Sequence, residues 1–383
     1  MSSRPLRVLL LGDYDDDPRL GSAKVSYKLR EELRAAGHQC DALFSNDIGS
    51  RPQGRQMRQL VAPVFAAAAI SRALARRPYD VVDAASAEGL WFGARKRLGA
   101  WPGTALVCRS NGLEHLNYRR MIDDSRAGVL AKPWARRLWY PASRLSQVAA
   151  AARVADRLVV LNQVDRRFAI EHRWQPPDRI DVVLHGVSER FLTERSVDPK
   201  RGAGVLFCGA WDYVKGTTYL IGAFRELVRG GFPVPLTILG SGVPAAAVLG
   251  AFPEEVRPFV TVVARVPEER VVDEYRRHDL LVFPSTYEGF GLVVLEAMSQ
   301  GLPVVATPVG CVPDLVQDGV TGTLVQPRDS AALASAIARL MRAPEDRARL
   351  GARAAGAVRE LTWRRTAERT IEVYRKALGQ ARP

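Results

Sequence analysis

Short apolar runs that end at glycine or polar residues recur along both halves of the chain, and stretches with helical spacing separate them. The runs lie at 6–12, 79–84, 104–108, 155–161 and 180–185, then at 205–208, 236–242, 260–266, 279–284 and 303–307. The amphipathic stretches lie at 21–34, 53–77, 165–172, 268–277, 331–341, 348–360 and 363–378. Continuous apolar strands that alternate with helices are typical of parallel sheets covered on both faces. The pattern therefore predicts an α/β protein with two doubly wound domains.

One stretch, FPSTYEGFGLVVLEAMSQG from Phe283 to Gly301, combines a strand end, a glycine-bearing loop and a helix with two carboxylates. Gly289 and Gly291 let the backbone approach a ligand closely, and a helix start directs unpaired N–H groups at it. At about 100° per residue, Glu288 and Glu296 would lie about 80° apart on one helix. We therefore place Glu288 in the loop and Glu296 on the helix. This arrangement suits a diphosphate or a polyhydroxyl ligand.

The same stretch can be interpreted as an ordinary strand, turn and helix of a parallel sheet, but packing alone would not require two acids and three glycines together. With its continuation to Asp329, it resembles the family 4 retaining glycosyltransferases of the GT-B fold. The resemblance implies two Rossmann-like domains facing an interdomain cleft. It also implies transfer of a sugar from a nucleoside diphosphate sugar to an acceptor hydroxyl, with retention of configuration and with neither metal nor cofactor.

The resemblance also implies roles for individual residues. The catalytic candidates are Glu288, which would hold the sugar hydroxyls, Lys215, which would hold the diphosphate, and Asn111. Glu296 would hold the ribose, and the backbone N–H groups of residues 290–293 would join Lys215 at the diphosphate. The full set of donor-binding candidates is Gly21, Ser22, Gly209, Gly240, Arg265, Val266, Gly289, Phe290, Gly291, Leu292, Val293 and Glu296.

Two positions depart from the pattern of the resembled family. Ala210 stands where an Arg that neutralises the donor diphosphate is usual, and Arg265 is a candidate to compensate for it. Asn111 stands where a His is frequent, and the amide cannot titrate. These departures keep a second hypothesis open, a nucleotide-sugar-binding protein with weak catalysis. A nucleotide-sugar epimerase of similar fold is a third hypothesis, which the Glu-x7-Glu setting disfavours.

A polar stretch that contains proline and glycine, 193–204, separates the two sets of strands and predicts a domain boundary. We expect an amino-terminal acceptor-binding domain at 1–198 and a nucleotide-sugar-binding domain at 199–360. In the resembled fold a last helix, here within 361–383, packs back on the first domain.

The net charge of +14 is concentrated at 51–150, where 17 basic residues stand against 6 acidic ones. This region includes Trp134, Trp139 and Tyr140 interleaved with Arg and Lys, a composition that suits an anionic membrane surface and a glycan or lipid-linked acceptor. Two other interpretations are solvated arginines and a helix that packs its tryptophans into the core. Nucleic acid is not expected, because no known binding module is present.

The remaining features predict where the protein works. No apolar run is long enough to span a bilayer, and the amino terminus lacks the features of a secretory signal. The four cysteines are widely spaced, as expected for reduced thiols rather than metal ligands. The sequence thus predicts a cytoplasmic protein, peripheral at the inner face of the membrane.

Overall fold

The computed structural model describes residues 4–18, 21–49, 55–129, 134–193 and 201–379. The chain divides into two compact units, one ending at His185 and resuming at Trp363, the other formed by Gly186–Thr362. Each unit holds one six-stranded sheet in which all neighbouring strands are parallel. The prediction of two doubly wound α/β domains is therefore confirmed.

The sheet of the first unit has the strand order β2-β1-β3-β4-β5-β6. Its strands are β1 (Arg7–Leu11), β2 (Gln39–Leu43), β3 (Val81–Ala85), β4 (Ala105–Arg109), β5 (Arg157–Val160) and β6 (Ile180–Val182). Its helices are α1 (Gly21–Ala35), α2 (Ser45–Ile48), α3 (Arg55–Arg76), α4 (Leu90–Arg97), α5 (Glu114–Arg126), α6 (Trp134–Tyr140), α7 (Ser146–Val154) and α8 (Gln163–Glu171). A π-helical turn, Pro141–Leu145, joins α6 to α7.

The second unit has the strand order β12-β11-β10-β7-β8-β9. Its strands are β7 (Val205–Cys208), β8 (Leu236–Leu239), β9 (Val260–Val263), β10 (Leu280–Phe283), β11 (Val304–Ala306) and β12 (Thr323–Leu324). Its helices are α9 (Arg190–Thr193), α10 (Thr217–Arg229), α11 (Ala245–Ala251), α12 (Glu268–Arg277), α13 (Leu292–Ser299), α14 (Val312–Leu315), α15 (Ser330–Arg342) and α16 (Pro344–Ala357). Apolar residues of β7, β8, α10 and α15 fill the core on one face of this sheet.

The last helix, α17 (Trp363–Ala377), packs on the first unit. The Tyr374 hydroxyl donates to Asp83 Oδ2 at 2.7 Å, beside the ion pair of Asp83 with Arg109 at 2.6 Å. Thr366 Oγ1 donates to the carbonyl oxygen of Leu184 at 2.9 Å. The helix therefore closes the polar interior of the first unit as well as its apolar core.

Residues 186–193 belong to the second unit, so the division falls earlier than the sequence-based boundary after residue 198. The Val187 N–H group donates to the Leu361 carbonyl at 3.0 Å. Phe191 is fully buried, and its carbonyl accepts a hydrogen bond from Gln300 Nε2 at 2.5 Å. Part of the predicted linker, 194–200, lies outside the described residues. Within the described part of the chain, no helix has the length and apolar character needed to cross a membrane.

Candidate functional site

The sheet topology of the second unit marks where a ligand can bind. From β7, the chain continues to β8 and β9 on one side of the sheet and later to β10 on the other. The loops that leave the carboxyl ends of β7 and β10 therefore run in opposite directions and open a crevice, the usual ligand position in such sheets. Residues 209–216 and 284–291 form these two loops.

The two loops are fastened to each other by backbone contacts. The Val214 carbonyl accepts hydrogen bonds from the N–H and the hydroxyl of Thr286, at 2.8 and 3.2 Å. Gly216 has a φ of +74°, and a β-carbon there would lie 1.9 Å from the Pro284 carbonyl oxygen. Only glycine fits this close approach, so Gly216 fixes the spacing between the loops.

Lys215 and Glu288, which are 73 positions apart in sequence, meet across the crevice. The Lys215 ammonium forms an ion pair with Glu288 Oε2, and both side chains are about one quarter exposed, at 29% and 19%. Glu288 lies in the loop, as predicted, and its second oxygen accepts from the Gly289 N–H group at 3.3 Å. The crevice thus presents one cation and one carboxylate, each able to exchange its partner for a ligand.

The helix start beside this pair has the geometry expected of an anion site. Gly291 precedes α13 with a φ of +91°, and Leu292 and Val293 are its half-buried first residues. The first N–H groups of a helix have no intrahelical partner and carry partial positive charge. Gly289 and Phe290, which precede Gly291 in the loop, are buried. Gly310 contacts this loop so closely that a β-carbon on Gly310 would lie 2.5 Å from the Glu288 carbonyl oxygen.

Glu296 lies in the second turn of α13, as predicted, and is only 6% exposed. The hydroxyl of Tyr275, which is fully buried on α12, donates to Glu296 Oε2 at 3.1 Å. Burial, together with Cys208 and Glu296, raises the pKa of Tyr275 well above its usual value, so the phenol stays a donor. Sequence reasoning missed Tyr275, because only the tertiary packing of α12 on α13 brings it to Glu296.

The other predicted donor-binding residues of the second unit lie along the same carboxyl edge. Gly209 and the exposed Ala210 follow β7, and Gly240 follows β8. Arg265 and Val266 follow β9, and the exposed Arg265 guanidinium lies over Gly242, 3.6 Å from the position of a β-carbon there. Ser241, which precedes Gly242, accepts a hydrogen bond from the Trp211 N–H group at 2.7 Å, so compensation of Ala210 by Arg265 stays a prediction.

Three predicted residues belong to the first unit. Gly21 and Ser22 form the start of α1. Asn111 lies in the loop between β4 and α5, and its Oδ1 atom is buried without a hydrogen-bond partner in the described structure. The neighbouring His115 packs its ring against Trp174, with 4.7 Å between ring centroids, and burial lowers its pKa to about 4. That aromatic packing gives His115 a structural role, and the lowered pKa keeps its imidazole neutral near pH 7.

A buried ionic cluster, which sequence reasoning missed, lies at the carboxyl ends of β3 and β4. It consists of Ser86, Glu88, Glu114, Tyr140 and Arg144. The Arg144 guanidinium donates to Glu114 at 2.9 Å and to Glu88 at 3.3 Å. Glu114 also accepts from the Ser86 hydroxyl at 2.7 Å and the Tyr140 hydroxyl at 2.9 Å. The nearest catalytic candidate named from the sequence was Asn111, three positions before Glu114.

The pKa values of the two carboxyl groups in this cluster are shifted in opposite directions by burial and by neighbouring charge. Burial raises the pKa of Glu88 above its usual range, and the Arg144 charge opposes this only in part. Burial also disfavours the Glu114 carboxylate, yet Arg144, Ser86 and Tyr140 together hold its pKa below the usual range. Within the described ranges, no group of three or more His, Cys, Asp or Glu residues is arranged to hold a metal ion.

Comparisons with known families agree with this architecture. The family model described as Glycosyltransferase Family 4 matches residues 21–191, and the model described as Glycosyl transferases group 1 matches residues 202–343. The two matches cover most of the chain. The protein belongs to the family 4 glycosyltransferases.

Individual relatives and structures show how far this similarity extends. The D-inositol 3-phosphate glycosyltransferase of Frankia alni is 35% identical over 248 residues, 59% of this chain and 60% of the relative. The chain thus spans about three fifths of the length of the curated relatives it matches.

Two solved structures share the fold over nearly the whole chain. The sucrose-phosphate synthase of Thermosynechococcus elongatus has a TM-score of 0.79 at 22% identity, over 98% of this chain and 100% of that one. Anabaena Alr3699/HepE, solved in complex with UDP and glucose, has a TM-score of 0.66 at 17% identity, over 96% of this chain and 98% of that one. These likenesses confirm the predicted GT-B fold.

Proposed function

We propose that the protein is a retaining glycosyltransferase that transfers a sugar from a nucleoside diphosphate sugar to an acceptor hydroxyl. The observation that carries this proposal is the meeting of Lys215 and Glu288 at the switch point of the second sheet, beside the glycine-preceded start of α13. A cation and a helix start suit a diphosphate, and a carboxylate suits sugar hydroxyls. The second unit is therefore proposed as the nucleotide-sugar-binding domain.

In this proposal each residue has a separate task. Lys215 and the first N–H groups of α13 neutralise the diphosphate as negative charge grows on it in the transition state. Glu288 accepts hydrogen bonds from the transferred sugar, and Glu296, held by Tyr275, accepts them from the ribose. Gly240, Arg265 and Val266 would contact the base. Asn111, the catalytic candidate, and Gly21 and Ser22, the donor-binding candidates of the first unit, stay predictions, and that unit is proposed to bind the acceptor.

The proposed reaction needs no side-chain nucleophile. The bond between the anomeric carbon and the diphosphate oxygen breaks, and the acceptor oxygen bonds to the same face of that carbon. The acceptor proton passes to the departing diphosphate, so the products are a glycoside and a nucleoside diphosphate. Positioning and electrostatic stabilisation would then supply most of the rate enhancement.

The alternative of a nucleotide-sugar-binding protein with weak catalysis receives no support from the comparisons, since the matched families are transferases. A measurement separates the two functions. We expect calorimetry against UDP-, GDP-, ADP- and TDP-sugars to find one tightly bound donor, whose slow hydrolysis is accelerated by a lipid or glycan extract. No binding to any donor would overturn the proposal, and binding without turnover under every acceptor condition would favour the weak-catalysis alternative.

We further propose that the first unit contacts an anionic membrane surface through α3. Met57, Leu60 and Val64 share one face of this helix at helical spacing and are 49%, 37% and 53% exposed. The helix carries arginines and no acidic residue. By contrast, Trp139 and Tyr140 are half-buried with their rings 6.2 Å apart, which favours packing for that part of the basic aromatic segment. The side chain of Trp134 lies outside the described residues.

Vesicle sedimentation tests this membrane contact. We expect the protein to sediment with vesicles that contain phosphatidylglycerol and to remain in solution with pure phosphatidylcholine, because the basic helix is attracted to anionic lipid. The combined Met57→Ser, Leu60→Ser and Val64→Ser variant should lose this binding. Val164→Ser removes a valine that is 41% exposed elsewhere on the first unit and serves as the control. Equal binding to both vesicle types would rule out the proposed surface.

A further inference from the structure

The first unit has a switch point of its own, distinct from that of the second unit. In the order β2-β1-β3-β4-β5-β6, the chain leaves β1 toward β2 on one side and later enters β3 on the other. Ligands bind at the carboxyl ends of such strand pairs. Asp13 and Tyr14 follow β1 here, and Ser86 and Glu88 follow β3. If the second unit holds the donor, as proposed above, this crevice is the place for the acceptor.

Arg144 is the one cation of this cluster, and each of its three guanidinium nitrogens donates to a protein carboxylate. Its Nε atom donates to both oxygens of Glu114 at 3.1 Å, and its two terminal nitrogens donate to Glu88 Oε1 at 3.3 Å. The guanidinium side chain is only 9% exposed. An acceptor phosphate would have to displace buried carboxylates to reach it, and each separated charge would lose its partner.

The charge of the cluster is unfavourable for a phosphate in either protonation state. With both carboxyl groups ionised, Glu88 and Glu114 outweigh the single Arg144. If burial keeps Glu88 protonated, the cluster is neutral, because the raised pKa of Glu88 removes only one negative charge. Asp13 adds a further carboxylate, close enough to raise the pKa of Glu88 by charge repulsion. The cluster and its neighbour therefore carry no net positive charge in either state.

Two acceptor atoms at this edge, Glu88 Oε2 in its ionised state and Asn111 Oδ1, lack partners in the described structure, as does the donor Arg109 Nη1 at the end of β4. Glu88 is 2% exposed, and both acceptor atoms are buried. Buried acceptors of this kind are normally satisfied by a donor. A hydroxyl supplies such a donor, whereas a phosphate dianion only accepts. Ser86, Glu114 and Tyr140 are half-buried and offer the remaining hydrogen-bonding groups.

Arg144 also lies in an unusual local backbone. The turn Pro141–Leu145 between α6 and α7 is π-helical, a conformation that is rare and that is found frequently at functional sites. Ser86 has a φ of +51°, which is uncommon for a residue other than glycine. Two local irregularities thus bring the serine hydroxyl and the guanidinium to the same carboxylate, that of Glu114.

We infer that the acceptor is an uncharged polyhydroxyl compound bound at this edge of the first unit, and that Glu88 and Glu114 exclude phosphate monoesters by occupying Arg144. This inference rests on the proposed transferase function. It distinguishes this chain from a relative named for a phosphorylated acceptor.

Binding of inositol 3-phosphate to the full chain tests the exclusion directly. We expect no calorimetric binding to the unmodified protein at millimolar concentration. The double variant Glu88→Gln, Glu114→Gln frees Arg144 and should bind the phosphate at least about tenfold more tightly. Adding Arg144→Met should abolish that gain. Asp123→Asn, which removes one carboxylate from an exposed position of α5, should gain nothing.

Two results would overturn the inference. One is binding of inositol 3-phosphate to the unmodified protein that Arg144→Met abolishes, because Arg144 would then be a phosphate anchor. The other is a double variant that gains no phosphate binding although it still melts cooperatively and binds the nucleotide. Should the double variant fail to fold, Glu114→Gln alone carries the same expectation with a smaller gain, because Arg144 holds the pKa of Glu114 below its usual range.

Transfer assays with matched acceptors test whether the acceptor is an uncharged polyhydroxyl compound. Myo-inositol and methyl glucoside are compared with inositol 3-phosphate and glucose 6-phosphate, using the donor found by the screen. Product from a phosphate-free acceptor supports the inference, and product from a phosphorylated acceptor alone overturns it. If no acceptor in the panel reacts, the binding experiment decides. A donor screen that finds no donor would defeat the proposed function yet leave the phosphate-binding result intact.

Discussion

Tyr275 donates its hydroxyl hydrogen bond to Glu296 at 3.1 Å, with the tyrosine fully buried and the glutamate almost so. A buried carboxylate with a fixed partner keeps its orientation before any ligand arrives. Preorganisation of this kind strengthens binding, because less side-chain freedom is lost when the ligand is bound. Tyr275 therefore acts as a positioning residue for the proposed ribose contact, although it lies on a different helix.

Tyr275→Phe should weaken binding of the nucleoside diphosphate about tenfold, which corresponds to about 1.4 kcal/mol. The loss should be smaller for the 2′-deoxy nucleotide, because that ligand makes fewer contacts with Glu296. Calorimetry with both nucleotides measures this difference. Tyr79→Phe removes a comparable bond in the first unit, from Tyr79 to Asp41 Oδ2 at 2.6 Å, and should leave both affinities unchanged. Equal losses for the two nucleotides would show that Tyr275 supports the fold rather than Glu296.

Replacing the two glutamates should separate binding from turnover. Glu296→Ala removes the proposed ribose contact and should weaken binding of the nucleoside diphosphate. Glu288→Ala frees Lys215 from its ion pair, so affinity for the diphosphate should hold or rise while turnover falls. Calorimetry and single-turnover kinetics of the two variants provide the comparison. Equal losses of nucleotide affinity in both would contradict the two assigned roles.

Gly216→Ala should destabilise the second unit by about 2 kcal/mol or more. The new β-carbon would lie 1.9 Å from the Pro284 carbonyl oxygen, at a φ of +74° that L-residues rarely adopt. Gly250→Ala is the control, since Gly250 lies in α11 with no atom within 4 Å of the new β-carbon. That control should be neutral or more stable by up to about 1 kcal/mol. Urea unfolding measures both, and similar curves would mean that the two loops are not held by this contact.

Ala210→Arg should tighten binding of nucleoside diphosphates several-fold, with the gain decreasing as salt is added. Ala210 is exposed at the carboxyl end of β7, so a guanidinium there can reach the crevice without displacing packed atoms. Ala246→Arg places the same charge on the exposed surface of α11 and serves as the control. Calorimetry at two salt concentrations distinguishes a local contact from a long-range field. Equal gains in nucleotide affinity for the two variants would indicate that only the long-range attraction of the added charge contributes.

His185 should make the first unit sensitive to acid. Burial lowers the pKa of His185 to about 3, whereas an unfolded histidine titrates near 6.5. The unfolded chain therefore takes up a proton first, and stability present above pH 6.5 is lost as the pH falls toward 3, at up to about 1.4 kcal/mol per pH unit. His185→Gln should make the free energy of unfolding depend less on pH in this range. Urea unfolding between pH 7 and pH 4 measures it, and parallel profiles would show that His185 contributes little.

Features encoded by local pattern were predictable from the sequence. The strand runs, the loop position of Glu288 and the helical position of Glu296 follow from apolar continuity, glycine placement and helical spacing. Contacts between distant segments were not predictable in this way. No local signal links Tyr275 to Glu296 or Arg144 to Glu88, because such pairs form only when separate helices pack on a sheet. The affiliation of residues 186–193 depends in the same way on Leu361 and Gln300.

The return of α17 to the first unit has a consequence for synthesis on the ribosome. Domains fold as their sequences emerge, and the second unit is continuous from Gly186 to Thr362. The first unit begins to emerge earlier, but Tyr374, which covers the buried Asp83 and Arg109, is translated only after the whole second unit. The first unit, whose translation begins first, is therefore completed only after the second unit. A chain that stopped before Trp363 would contain all of the second unit and a first unit that lacks α17.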